Sequence, residues 1–376
     1  MSIINKAIIH YTTYKDNSPT CIDLKNSQNN NNENQISIIK SKLKSLGVYN
    51  LNKLDKIIEK LSGNQVNEFL NELEKLIDIL SSKDLEKKLH PKVVKAVEES
   101  IVYDGNLGEV KEFKDLKNFV SKLLIDLLNS LADFNTITQG YKGTCAQTVV
   151  ERSIAERNPE QYVKIITELI TKGEYISPNG RKIPLNSGGI RKTKHEQNDF
   201  RYLTTRIISP SFMEFYYNKD PIYDDYDEDK DKPYGSHSYL TAETIYNTTY
   251  SDIFLFFLPN FIKIEFLKDV IKSSKYPVFL GVKYQGMHAV ELKNIESNSI
   301  TISNPWGQIE TYTIKGVYID GYNFPTPIKN YNDFIKKTMG IEAPEKYIFE
   351  LHLKLIKAII TTPLQYLFKK LKYYIT

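Results

Sequence analysis

Cysteine is scarce in this chain: two, Cys21 and Cys145, in 376 residues. That is too few for a disulfide framework, and it points to a reducing compartment. An excess of one charge sign is also missing. The formal net charge is +4, with acids and bases interspersed, so no basic stripe is left to attract a nucleic acid, and none is an expected partner. Long apolar runs are absent too. The longest, IFLFFLPNFI at 253–262, is too short to span a bilayer, so no transmembrane segment is expected. The opening MSIINKAIIHYTTYKDN lacks a basic stretch followed by a long apolar one, so no secretory signal is read. No His/Cys cluster at metal-ligand spacing occurs, and no glycine-rich phosphate loop follows a strand; neither metal nor cofactor is expected.

What the chain does have is core. At 41% hydrophobic and 12% aromatic it can fill one large or two ordinary domains. Residues 1–35, ending in SQNNNNENQ, are too polar to offset ordering entropy and read as a flexible leader. From 36 to 131 apolar residues recur at spacings of three and four, which predicts an N-terminal helical domain. In QVNEFLNELEKLIDIL the stripe is Val66, Phe69, Leu70, Leu73, Leu76, Ile77 and Leu80. SSKDLEKKL predicts a helix capped by Ser82, and KDLKNFVSKLLIDLLNSLADF a long amphipathic one.

The texture then changes. Residues 144–172 read as two helices, with Pro159 in the first turn of the second. From 277 onward PVFLGVKY, HAVELKN, NSITISN and IETYTI predict short strands divided by turn residues. Helices followed by an antiparallel sheet give an α+β class with a cleft between the halves as the natural site. The acid-rich NKDPIYDDYDEDKDKPYG lacks the Gly and Glu positions of a calcium loop and reads as a solvated surface loop.

QGYKGTCAQTVVERS, residues 139–153, sets Cys145 behind a turn and ahead of a helix. Thr144 with Gln147 fits a capping box, which makes Thr144 the N-cap and Cys145 the first helical residue. Its thiol would sit at the positive end of the helix dipole, where the thiolate is favoured. The plain alternative is a buried, inert thiol. Gly140 and Gly143 allow a tight turn and close approach of a substrate. Downstream, His288 in GMHAVELKN opens one strand and Asn304 in ISNPWGQI closes the next, followed by Trp306, the single tryptophan. A hairpin brings such positions together, so the imidazole could take the thiol proton while the carboxamide fixes its tautomer and Trp306 shields the bond. His195 and His237 have no such partner, and His10, His90 and His352 are expected outside the cleft.

QGYKGTC resembles the Q-G-x-x-G-x-C segment of papain-like and calpain-like cysteine peptidases. MHAV resembles their histidine strand, and NPWG is similar to their asparagine-tryptophan turn, particularly the calpain form. His288 lies 143 residues after Cys145, within the roughly 130–150 of papain-like enzymes. Lys142, Thr144, Ala146 and Met287 depart from the residues usual in papain. The resemblance implies a two-lobe fold, helical and antiparallel β, over 135–345, with Cys145 as nucleophile, His288 as base then acid, Asn304 as orienter and Gln139 in the oxyanion hole. It also implies a protein or peptide substrate, with Gly188, Gly189 and Trp306 as cleft residues that contact it. An isopeptidase, an acyl transferase, an amidase and an inactive adaptor are the alternatives. The helical region is read as an inhibitory pro-region, a partner module or a packing subdomain. The extension 346–376 is basic and apolar, and suits a helix on the body or peripheral contact with an anionic membrane. Localisation is expected to be cytoplasmic, or outside the cell by a route without a classical signal, as for a bacterial effector.

Overall fold

The computed structural model describes residues 21–104, 108–140, 142–178, 180–191, 200–217, 253–259, 278–283, 287–296, 298–313 and 319–327. The acidic stretch, the 346–376 extension, His10, His195, His237 and His352 lie outside them. Helices come first: α1 (Cys21–Ser45), α2 (Asn52–Lys60), α3 (Asn64–Leu80), α4 (Leu85–Lys88) and α5 (Pro91–Glu99). A hairpin of β1 (Ile101–Asp104) and β2 (Gly108–Lys111) then leads into α6 (Leu116–Ala132), α7 (Cys145–Arg157) and α8 (Pro159–Lys172). A second hairpin, β3 (Glu174–Ile176) and β4 (Lys182–Pro184), precedes α9 (Leu203–Tyr217). β5 (Ile253–Pro259), β6 (Val278–Lys283), β7 (Met287–Ile295), β8 (Ser299–Asn304), β9 (Gln308–Thr313) and β10 (Ile319–Pro327) follow. These last strands form one antiparallel sheet in the order β5-β10-β6-β7-β8-β9. The class is α+β, and no helix among the described residues is long and apolar enough to cross a membrane.

Local chemistry accounts for the helix ends. Asp115 caps α6, its Oδ1 accepting from Asn118 N at 2.8 Å. Pro159 opens α8, where its missing N–H costs nothing, and Gly173 ends it at φ 74°. A Cβ at Gly173 would also lie 2.5 Å from the His90 ring, so both backbone and packing demand glycine there. α3 buries Phe69, Leu70, Leu73, Leu76, Ile77 and Leu80, the predicted stripe, with Val66 packed at its margin.

Three expectations need correction. The leader is helical from Cys21 onward, because extending a helix nucleated by the amphipathic stretch after Ile36 costs far less than starting one. Gln35 anchors it by donating from Nε2 to Asn71 Oδ1 at 3.1 Å and Glu74 Oε2 at 3.0 Å. Asp84, not Ser82, precedes α4; the Ser82 hydroxyl instead accepts from Asp84 N at 3.3 Å. The helical reading of 36–131 passes over the β1–β2 hairpin, in which Ile101–Asp104 pairs with Gly108–Lys111. β10 lies outside the expected strands; its Pro325 and Pro327 lie beyond Asn323, the last residue paired with β6, so no ladder bond on that side is lost.

The core is continuous across the change of texture near residue 131. One buried apolar cluster runs from Ile39 through α3, α6, α7, α8 and α9 to Phe279. α3 lies against α8, and α6 against α9. A buried ion pair joins the same halves: Arg206 of α9 meets Glu112 in bidentate fashion at 2.6 and 2.8 Å, and donates to the carbonyls of Gly189 and Ile190. The N-terminal helices are thus part of one body. A chain beginning at Asp133 would bare the faces of α8 and α9 that α3 and α6 cover. It is expected to be unfolded by circular dichroism; a folded, soluble product would instead mark the helices as a detachable pro-region.

Candidate active site

Cys145 is the first residue of α7, and α7 lies across β7. The sulfur is buried in a small apolar contact with Ala146 and Ala289, the residue after His288. Thr144 is the N-cap as expected, but the capping box does not form: φ −103° and ψ 25° keep its hydroxyl from turning onto the helix. Thr144 Oγ1 and both polar atoms of the Gln147 side chain are buried without a hydrogen-bond partner among the described residues. Gly140, at φ 60°, makes the tight turn ahead of the helix.

β7 and β8 are neighbours, and their hairpin sets His288 beside Asn304. His288 Nε2 and Asn304 Oδ1 are 2.9 Å apart. Asn304 Oδ1 also accepts from Trp306 N at 3.1 Å, and Asn304 Nδ2 donates to Glu310 Oε2 at 2.9 Å. The indole of Trp306 lies over the imidazole, with centroids 4.6 Å apart and planes tilted 31°. Trp306 was expected to shield the His288–Asn304 bond; its ring lies over the imidazole while 41% of its surface stays exposed. Gln139 reaches the same turn: its N–H donates to Pro305 O at 2.9 Å, its Nε2 to Lys142 O at 2.9 Å, and its Oε1 is buried without a partner among the described residues.

Cys145, His288, Asn304, Trp306 and Gln139 therefore belong to one neighbourhood. Gly188 and Gly189 are held elsewhere: Asn186 Oδ1 accepts from Gly188 N at 2.9 Å, and Gly189 O accepts from Arg206. Gly188 lines a surface cavity of about 360 Å³ with Lys92, Glu99 and Arg191. Among the described residues no hydrogen bond links that glycine pair to the Cys145 group. His90 caps α5, its Nδ1 accepting from Lys92 N at 3.3 Å, away from the site as expected.

Two residues that sequence reasoning passed over hold this neighbourhood in place. Arg152, two turns along α7 from Cys145, is fully buried and donates to the Phe134 and Asn135 carbonyls, to Ser303 Oγ at 2.8 Å and to the carbonyl of Asn304. Glu310 on β9 receives the Asn304 amide and the Tyr312 hydroxyl, the latter at 2.7 Å. In VVERSIAER an arginine reads as a solvated helix charge. The sequence hint was the pair Val149 and Ala155, one turn to either side on the same helix face. At the other end of α7, Arg157 pairs with Glu291 of β7 at 3.0 Å and Lys293 with Glu156 at 2.5 Å.

The electrostatics differ from the expectation of a resting thiolate. Burial pushes the Cys145 thiol up, and the backbone N–H groups of Ala289, Ala146 and Cys145 itself only partly oppose this. Burial likewise pulls His288 down, against the hydrogen bond to Asn304 and the charge of Glu310. Both groups are therefore biased to their neutral forms at rest.

No protein-family model, curated protein or solved structure matches the chain. The chemistry rests on the site itself. Among the described residues no group of His, Cys, Asp or Glu side chains is placed to hold a metal ion. The arrangement supplies a thiol, an imidazole with a fixed partner, and nearby N–H donors, which is the equipment of acyl transfer.

Two predictions concern α7. Arg152→Met would leave several buried acceptors unpaired, and is expected to cost about 3–5 kcal/mol in urea unfolding. Lysine there would not rescue, lacking the forked donors. On the same helix, Glu151 is buried, receives Tyr162, Thr205 and Ser209 hydroxyls, and is pushed up to about 7 by burial. The folded state holds that proton more tightly than the unfolded chain, whose carboxyl titrates near 4.5. Its stabilisation is thus complete below about pH 4.5 and lost as pH rises to about 7, a swing of about 3 kcal/mol. Glu151→Gln is expected to flatten this part of the stability–pH curve in urea titrations at several pH values.

Proposed function

We propose that this chain is a cysteine-dependent peptidase of the papain-like type, acting on protein or peptide substrates, with a helical lobe carrying the nucleophile and the antiparallel sheet carrying its base. The observation that carries the reading is the His288 Nε2 to Asn304 Oδ1 contact at 2.9 Å, directly beside the strand residue whose N–H faces the Cys145 sulfur. With Nε2–H committed to Asn304, the lone pair of Nδ1 is the one free to receive the thiol proton.

The steps follow from these roles. Nδ1 takes the proton as sulfur attacks the scissile carbonyl carbon, and the carbonyl oxygen gains the charge. The Cys145 N–H and the second amide hydrogen of Gln139 are the donors available to that oxyanion. The imidazolium then protonates the departing amine, the C–N bond breaks, and a thioester remains. Water, deprotonated by the same nitrogen, cleaves the thioester and restores the thiol. Because both groups rest neutral, proton transfer accompanies attack and does not precede it. Closed packing around the sulfur also requires that substrate entry open the contact between α7 and β7. Trp306 at the mouth then offers an aromatic surface to the substrate chain.

Labelling with iodoacetamide tests the proposal without knowledge of the natural substrate. Cys145 is expected to alkylate at a rate that depends on His288, and to react about ten-fold or more slowly in His288→Ala. Hydrolysis of an unfolded casein substrate is expected to fall by about 10³-fold or more in Cys145→Ala. A Cys145 labelling rate unchanged in His288→Ala at neutral pH would remove the enzyme reading.

A further inference from the structure

The carboxylate of Glu310 sits behind the Asn304 amide, on the side away from the imidazole. An asparagine amide is symmetric in shape, so nothing about its outline decides whether oxygen or nitrogen faces a neighbour. Two contacts decide it here. Trp306 N–H donates at 3.1 Å to the atom that faces His288, and only oxygen can accept. Glu310 Oε2 lies 2.9 Å from the other, and an ionised carboxylate can only accept, so that atom must be the NH₂. Tyr312 donates to the same Oε2 at 2.7 Å, which keeps the carboxylate turned toward Asn304. With Oδ1 fixed toward Nε2, the imidazole must carry its proton on Nε2 and leave Nδ1 open.

We propose that Glu310 is a positioning residue of this site: through Asn304 it sets the His288 tautomer, and its charge favours the imidazolium that forms when Cys145 gives up its proton. The inference rests on the peptidase reading above. Electrostatics agree in sign, since Glu310 raises the His288 pKa against the effect of burial. Among the described side chains, the charged group that acts on the ring is Glu310 from β9, while Cys145 of α7 contacts Ala289, the next residue of the strand. Glu291 and Lys293 of β7 are occupied with Arg157 and Glu156 at the far end of α7. β9 follows β8 through the Asn304–Gly307 turn, so one hairpin carries both the orienter and the residue that orients it.

The test is the rate of Cys145 alkylation by iodoacetamide as a function of pH, read by mass of the Cys145 peptide, in the full chain and in Glu310→Gln. At about pH 7 the variant is expected to react about ten-fold more slowly, the equivalent of one pK unit of lost imidazolium stabilisation. The gap is expected to close at alkaline pH, where the thiolate forms without help from His288. A ratio near one at neutral pH, or a ratio constant with pH as an altered access path would give, overturns the proposal. His288→Ala separates the two levels. If the native chain labels no faster than His288→Ala, the peptidase reading fails and this inference with it. If the native chain is faster than His288→Ala but matches Glu310→Gln, only the role of Glu310 falls. Should Glu310→Gln be unfolded by circular dichroism, Tyr312→Phe, which keeps the carboxylate but frees it to turn, is expected to show a neutral-pH loss of about three-fold. No loss there overturns the proposal equally.

Discussion

The guanidinium of Arg152 lies where three stretches of chain distant in sequence have to meet, and every other feature of the candidate site is placed relative to it. It leaves α7 two turns beyond Cys145, reaches the carbonyls of Phe134 and Asn135 ahead of the Gln139 turn, and ends on Ser303 and the Asn304 carbonyl. Donor groups in a planar fork suit several oxygens at once, which no other side chain offers. Burial works against the charge and lowers its pKa to about 10, while the surrounding carboxylates, Glu291 foremost, partly restore it. The helix that carries Cys145, the strand that ends at Asn304 and the Gln139 turn are thereby fixed to one rigid group.

The remaining structure reads as support for that junction. α3 and α6 brace α8 and α9 from behind, and the Arg206–Glu112 pair ties α9 to the segment after β2. α7 is pinned at its far end by the Arg157–Glu291 and Lys293–Glu156 pairs. Buried ion pairs add little net stability but are expensive to break, so they favour one arrangement over its competitors more than they deepen it. From the pinned helix outward runs an ordered chain of polar contacts: sulfur beside Ala289, imidazole to Asn304, Asn304 to Glu310, Glu310 to Tyr312.

Much of this was legible in the sequence where the signal is local. Period-two runs broken by turn residues located β6 to β9 within a residue or two, and so placed His288 and Asn304 at facing ends of one hairpin. The apolar stripe of α3 and the Asn-Pro-Trp-Gly turn were equally readable. What could not be read is what depends on surroundings. Arg152 gains its meaning from carbonyls up to 152 residues away. Glu310 looks like any polar residue on an alternating strand until Asn304 is seen to need a partner. Thr144 and Gln147 have the letters of a capping box, but the backbone at Thr144 does not adopt the extended geometry that the box requires. The thiolate expectation took the helix terminus into account and missed desolvation, which is the larger effect on this sulfur. The Asn-rich leader was judged on its own composition, whereas the helix behind it decides its conformation.

The enclosed, protonated sulfur of Cys145 also bears on how long the protein keeps its chemistry. Peroxides attack thiolates that solvent can reach, and oxidation beyond the sulfenic acid is in most proteins irreversible. A thiol shut between α7 and β7 and held in its protonated form meets neither condition at rest. Its lifetime under oxidative exposure is then set by how often that contact opens, so under the proposed reading the motion that would admit a substrate is the same one that admits an oxidant.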